Sequence, residues 1–209
     1  MQNGLPEPQI GEIIGNDRVL GCAIGWGATM GEPGSSVLTS SPDSLCFALG
    51  AISEGGKRHL EPVKAVLELM GPVSVEENFI GARWSKLLIN AAFSGMSIVI
   101  GDTFGAVCEN RKARRCAQAI IKECIDVSRA AGVTVEPVQG KDIVKLFDFR
   151  GPVKKVISRM LIPIAMKKHR GITASMLTDY RNGKPCEIDA INGVVCREGD
   201  KAGIETPFC

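Results

Sequence analysis

Two stretches of this sequence carry side chains at spacings that could do chemistry. Lys86 and Asn90 stand four residues apart in a largely apolar run, and Ser94 extends the series by one more turn. On a helix the three share one face. A lysine at the edge of an apolar helix suits carbonyl reduction. Negative charge develops on a ketone oxygen as hydride reaches the carbon, and an ammonium held beside it stabilises that charge and delivers the proton. Asn90 offers a donor and an acceptor to a substrate hydroxyl without a change of charge. On a surface helix, however, the same Lys and Asn would be ordinary solvated residues.

The second stretch is Ser175-Met-Leu-Thr-Asp-Tyr-Arg-Asn-Gly-Lys-Pro-Cys-Glu-Ile-Asp-Ala-Ile-Asn-Gly193. Ser175 reads as the start of a helical turn, where its hydroxyl and free backbone N–H groups could hold a substrate carboxylate; it reads equally as a plain N-cap serine. Asn182-Gly183 forces a turn, and Glu187 opens the last helix, where a carboxylate is favoured with or without a ligand. Asp179, Asp189 and Asn192 belong to the same polar run and fit helix surfaces or caps.

These residues need elements to hold them. Pro8 to Ile14 predicts a short helix. Arg18 to Met30 predicts an extended run, Gly31-Glu-Pro-Gly34 a turn, and Ser35 to Thr39 a returning strand. Ser44 to Ala51 predicts a strand, Leu60 to Met70 a helix and Val73 to Glu76 a short strand, which together read as α/β material. From Gly81 onward the pattern is helical: Ala82 to Met96, Asn110 to Ala131, Lys141 to Phe147, Lys154 to Lys168 with a break expected at Pro163, and Glu187 to Arg197. In the second of these, Ala113, Cys116, Ala117, Ile120, Ile121, Cys124, Ile125, Ser128 and Ala131 form an apolar stripe. Arg111, Lys112, Arg114, Arg115, Lys122, Glu123 and Arg129 are expected on the other faces. The domain boundary falls near Phe79 to Gly81, giving domains 1–79 and 80–209.

Bulk properties narrow the function classes. The 209 residues carry a net charge of +2 and are 44% hydrophobic, a composition for a soluble globular chain without the basic footprint of a nucleic-acid binder. Eight scattered cysteines form no close zinc-type pair, so no metal site is expected. Cys108, Cys116 and Cys124 read as small core residues, Met160 and Met166 as gap-fillers, and His59 and His169 as solvated side chains. No apolar run is long enough to span a membrane, so no membrane partner and a reducing cytoplasm are the expectations.

Taken together, Lys86-Leu-Leu-Ile-Asn90 and the Ser175 to Gly193 run resemble the ketopantoate reductase (2-dehydropantoate 2-reductase) family. The resemblance implies that Lys86 is the general acid and that Glu187 assists it catalytically. It implies that Asn90, Ser94 and Ser175 bind substrate, although many relatives place a second asparagine where this chain has Ser94. The opening Gln2-Asn3-Gly4 is similar to the segment in which an asparagine faces nicotinamide and substrate, so Asn3 and Glu187 become cofactor contacts. The implied architecture is an α/β remnant of a Rossmann-like domain followed by a mostly helical C-terminal domain like that of 6-phosphogluconate dehydrogenase.

The implied activity is NADPH-dependent reduction of 2-dehydropantoate, or a related branched 2-oxoacid, in pantothenate and coenzyme A biosynthesis. The glycine-rich phosphate loop of that family normally precedes the region starting at Met1, and relatives run on past Cys209 into a final helix. The expectation is therefore a partial NADP-binding domain and no tight NADP binding by this polypeptide alone. The competing class is a non-catalytic helical module that pairs through the Ala113-to-Ala131 stripe, with a homodimer as one assembly open to it.

Overall fold

The structure is a computed structural model and describes residues 3–138 and 142–209. Gln2 of the opening motif and Lys141 at the predicted start of a helix lie outside the described residues. A mixed α/β sheet region comes first and a mostly α-helical region follows. By contacts, residues 6–79 form one compact unit, and residues 3–5 join residues 80–209 in the other.

In the α/β unit, helix α1 (Pro6–Ile14) is followed by β1 (Leu20–Ile24), the hairpin β2 (Ala28–Met30) and β3 (Ser36–Leu38), and then β4 (Phe47–Ala51). Helix α2 (Leu60–Leu67) carries the chain from β4 to β5 (Val73–Val75), which lies parallel to β4, as a strand–helix–strand crossover permits. Strand β1 runs antiparallel to β4 on its other side, giving the order β1-β4-β5. Gly21 and Gly50 face each other across β1 and β4. A β-carbon at either would strike the ring of Phe79, so the glycine pair is the seat on which that buried ring lies.

The helical unit is built on α3 (Phe79–Ile100), which starts earlier and ends later than its sequence pattern predicts. Gly101, with φ +70°, ends it. Thr103 then accepts from Ala106 N and starts α4 (Phe104–Glu109), a short helix absent from the sequence-based expectation. Helix α5 (Arg111–Ala130) begins at Asn110, whose Oδ1 accepts from Lys112 N at 2.9 Å and Ala113 N at 3.0 Å. Next come α6 (Ile143–Phe147), α7 (Pro152–Ala165), α8 (Ser175–Arg181) and α9 (Ile188–Ala202). Pro163 does not interrupt α7. It falls in the last turn, so the one helical bond it cannot donate is lost near the C-terminal end and the helix continues only two residues beyond it.

The α5 stripe is spent inside this unit. Ala113, Ala117, Ile120, Ile121, Cys124 and Ile125 are buried against α3, α4, α7 and α9 residues in one hydrophobic core, so the stripe is not a free pairing surface. Ala131 is exposed, lying past the helix end. Glu123 is buried, against the expectation of a solvated face, because its carboxylate accepts from Phe208 N at 3.0 Å and Cys209 N at 2.9 Å. Met166 fills the core as expected, but Met160 is 67% exposed. It belongs to an outward apolar ridge on α7 formed by Val153, Val156, Ile157, Met160 and Ile164.

Candidate functional site

Asn3 is the centre of the arrangement. Its side-chain Nδ2 donates to Glu187 Oε2 at 2.8 Å, and its Oδ1 accepts from Asn90 Nδ2 at 3.3 Å. One amide thus joins the middle of α3 to the start of α9, with both of its ends used and its orientation fixed. Gly4 makes this possible. Its φ of +80° turns the chain, and a β-carbon there would collide with the carbonyl oxygen of Ala190. Residues 3–5 therefore lie directly on the first turn of α9, as part of the helical unit rather than of the α/β material the sequence led one to expect.

Glu187 occupies the N-cap position of α9 but does not cap it with its side chain. Its backbone carbonyl accepts from Ala190 N and Ile191 N, both at 3.0 Å, and starts the helix. The carboxylate is left for Asn3, at a helix end whose dipole favours negative charge. On α3, Lys86 is half-buried one turn before Asn90, and Ser94 is buried one turn after it. The three share a face by helical geometry. Ser175 is the first residue of α8, with Ala174 in the N-cap position, so it is neither a capping serine nor hidden: it is exposed. Gly183, with φ +66°, closes α8, and Lys184 N donates back to Asp179 O at 2.9 Å, the turn predicted for Asn182-Gly183.

Two residues that position this arrangement were not singled out for that role by sequence reasoning. Gly4 is one; its signal was the Asn-Gly step, an opportunity for positive φ. Asn192 is the other. It is 4% exposed, donates from Nδ2 to Ala91 O at 3.2 Å, and would meet a β-carbon on Gly95 at 3.2 Å from its Oδ1. Helices α3 and α9 therefore meet closely one residue from Asn90 and one from Ser94. An apolar cavity of about 80 Å³ also opens in the helical unit, lined by Leu88, Phe93, Ile121, Ile162 and Met166, with half-buried His169 at its wall. None of the candidate site residues lines it. Among the described residues no group of three or more His, Cys, Asp and Glu is placed to hold a metal, and no helix is long and apolar enough to cross a membrane.

The family profile "Ketopantoate reductase PanE/ApbA C terminal" matches residues 78–209, more than half of the sequence. The chain belongs to the ketopantoate reductase family. It is 27% identical over 210 residues to the 2-dehydropantoate 2-reductase of Pyrococcus horikoshii, covering 100% of this chain and 62% of that protein. Among solved structures it superposes on a PanE/ApbA family ketopantoate reductase from Ralstonia eutropha with a TM-score of 0.77, at 22% identity, over 100% of this chain and 61% of that one. A complex of D-mandelate dehydrogenase with NADH gives a TM-score of 0.76 at 20% identity, over 99% and 65% respectively. At such identities the structural likeness speaks for fold alone. The chain spans less than two thirds of the length of each of these relatives.

Proposed function

We propose that this chain forms the substrate-side part of an NADP-dependent reductase acting on 2-dehydropantoate or a related 2-oxoacid. The observation that carries the reading is the hydrogen-bonded series Asn90–Asn3–Glu187, which draws together residues 87 and 184 positions apart in sequence. In this reading the Lys86 ammonium holds the proton destined for the ketone oxygen, at a place where developing charge needs it. Asn90 orients a substrate hydroxyl, Ser94 shapes the same wall, and the exposed Ser175 hydroxyl takes the substrate carboxylate. Glu187 anchors Asn3 and assists the acid.

The donor set bears on the cofactor. Two neutral amides and one carboxylate suit the hydroxyls and carboxamide of a ribosyl-nicotinamide and do not suit phosphates, which call for cationic or backbone N–H donors. Asn3 and Glu187 would therefore hold the nicotinamide end, where NADPH supplies hydride. No G-x-G-x-x-G occurs in the sequence, so the phosphates find no such cradle here.

The test joins this chain to the part of the Pyrococcus horikoshii relative that it does not cover and assays 2-dehydropantoate and phenylglyoxylate reduction. Lys86→Ala is expected to lower kcat by at least ~100-fold with little change in KM. Near-normal turnover would remove Lys86 as the acid. The 209-residue chain alone is expected to show no micromolar affinity for NADPH in a calorimetric titration.

A further inference from the structure

Away from the Asn3 series, a buried amide anchors one arginine beside a helix face that carries three more. Gln118 on α5 is buried; its Nε2 donates to Lys155 O at 2.6 Å and to Ser158 Oγ, and its Oε1 accepts from Arg159 Nε at 3.0 Å. Arg159 of α7 is thereby anchored beside α5. Arg111, Arg114 and Arg115 precede Gln118 by seven, four and three residues, so they line the same face of that helix. Arg114 is anchored too, donating from Nη1 to Cys108 O at 2.8 Å, while its Nε is shut off from solvent with no hydrogen-bond partner.

Apart from these two tethers, the arrangement is electrostatically unfavourable. Burial, and then the charges of Arg115, Arg111 and Arg114, hold the Arg159 guanidinium below its usual range. Among the described residues none of the four arginines has an ion-pair partner, and Glu109, the nearest acid in sequence, pairs with Arg170 instead. Three of them also sit in the opening turns of a 20-residue helix with no acid in its first turn. The helix dipole there is positive and disfavours cations. Like charges facing one another at the wrong end of a helix cost stability unless an anion offsets them.

We propose that Arg111, Arg114, Arg115 and Arg159 form a binding site for a phosphate dianion. Guanidinium forks match phosphate oxygens in geometry, and two of the four are already tethered, so little ordering remains to be done on binding. The phosphate has two sources of the same chemistry. One is a small soluble phosphate or phosphate monoester. The other is the headgroup of phosphatidic acid, for which the apolar ridge of α7 beside Arg159, including Val156 and Met160, would supply the acyl contact.

The experiment uses the 209-residue chain, titrated calorimetrically with inorganic phosphate and sedimented with phosphatidylcholine vesicles with and without phosphatidic acid. Saturable binding with a Kd near or below about 1 mM is expected. Arg115→Ala and Arg159→Gln should each weaken it at least ~10-fold. Lys112→Ala removes an exposed cation of the same turn that lies off the stripe, and should change it by less than about 2-fold. Arg115 is exposed, so its variant keeps the fold. Binding of phosphate without vesicles identifies the soluble source, and sedimentation that needs phosphatidic acid and is lost in both arginine variants identifies the lipid one. No saturable binding to either, or equal weakening by Lys112→Ala, overturns the site.

Discussion

Gly4 and Asn3 show how much one backbone angle can decide. With φ +80° and the Ala190 carbonyl against it, Gly4 has no room for a β-carbon and no tolerance for the usual half of conformational space. Gly4→Ala is expected to destabilise the helical unit by about 1–3 kcal/mol in urea denaturation. It should also release the Asn3 side chain from Glu187 and Asn90, seen as a shift of its amide resonances. Asp148 makes a second prediction. Arg129 Nη2 lies 2.7 Å from its Oδ2 and Lys122 Nζ 3.5 Å from its Oδ1. Burial pushes the carboxyl up, but Arg129 and Lys122 together outweigh it and hold it below its usual range. Its folded pKa is the lower one, so its stabilising share is complete above the unfolded value of about 4 and disappears as pH falls through the folded value. Asp148→Asn should therefore be less stable than the parent near neutral pH, and the gap should close in acid below about pH 4. At this scale Lys86, Asn90 and Glu187 were legible in the sequence as residue types at helical spacings and helix ends. That Asn3 links the last two was not legible, because spacing says nothing about partners 87 and 184 residues away.

Among the elements, those with a strong period were legible and those fixed by distant contacts were not. The α5 stripe of Ala113, Ala117, Ile120, Ile121 and Cys124 is buried as its 3.6-residue period requires. Glu123 breaks the pattern because the segment carrying Phe208 and Cys209 returns to α5 and needs an acceptor. The Cys124 thiol, then burial and the charge on Glu123, hold the Cys209 thiol far above its usual range, which marks the same contact from the other side. Glu123→Ala would leave the N–H groups of Phe208 and Cys209 without their acceptor. A loss of about 1–3 kcal/mol in urea denaturation, with faster amide exchange at both residues, is expected. Helix α4 escaped notice because six residues are too few to show a period; its only signal was Thr103 as a cap. On α7 apolar residues occupy both the inner and the outer face, so periodicity could not say that Ile162 is buried while Met160 is exposed.

For the whole molecule, the succession of an α/β sheet region and a helical region was legible from the change in period near residue 80, and the family from two short motifs. The distribution of charge is concealed by the net +2 but not by the order of residues. Between Phe149 and Thr178 there are seven Lys and Arg residues and no Asp or Glu. That stretch includes α7, whose outward side is Val153, Val156, Ile157, Met160 and Ile164. A greasy strip bordered by like charges governs how copies of the protein behave at high concentration. In dilute buffer the lysines and arginines keep neighbouring molecules apart. In 1 M salt, where electrostatic reach shrinks to about 3 Å, that colloidal protection goes first and the strips are free to meet. Solubility of this protein should fall as salt rises, with light scattering turning from repulsive to attractive, and a substitution on that strip, Met160→Lys, should restore it.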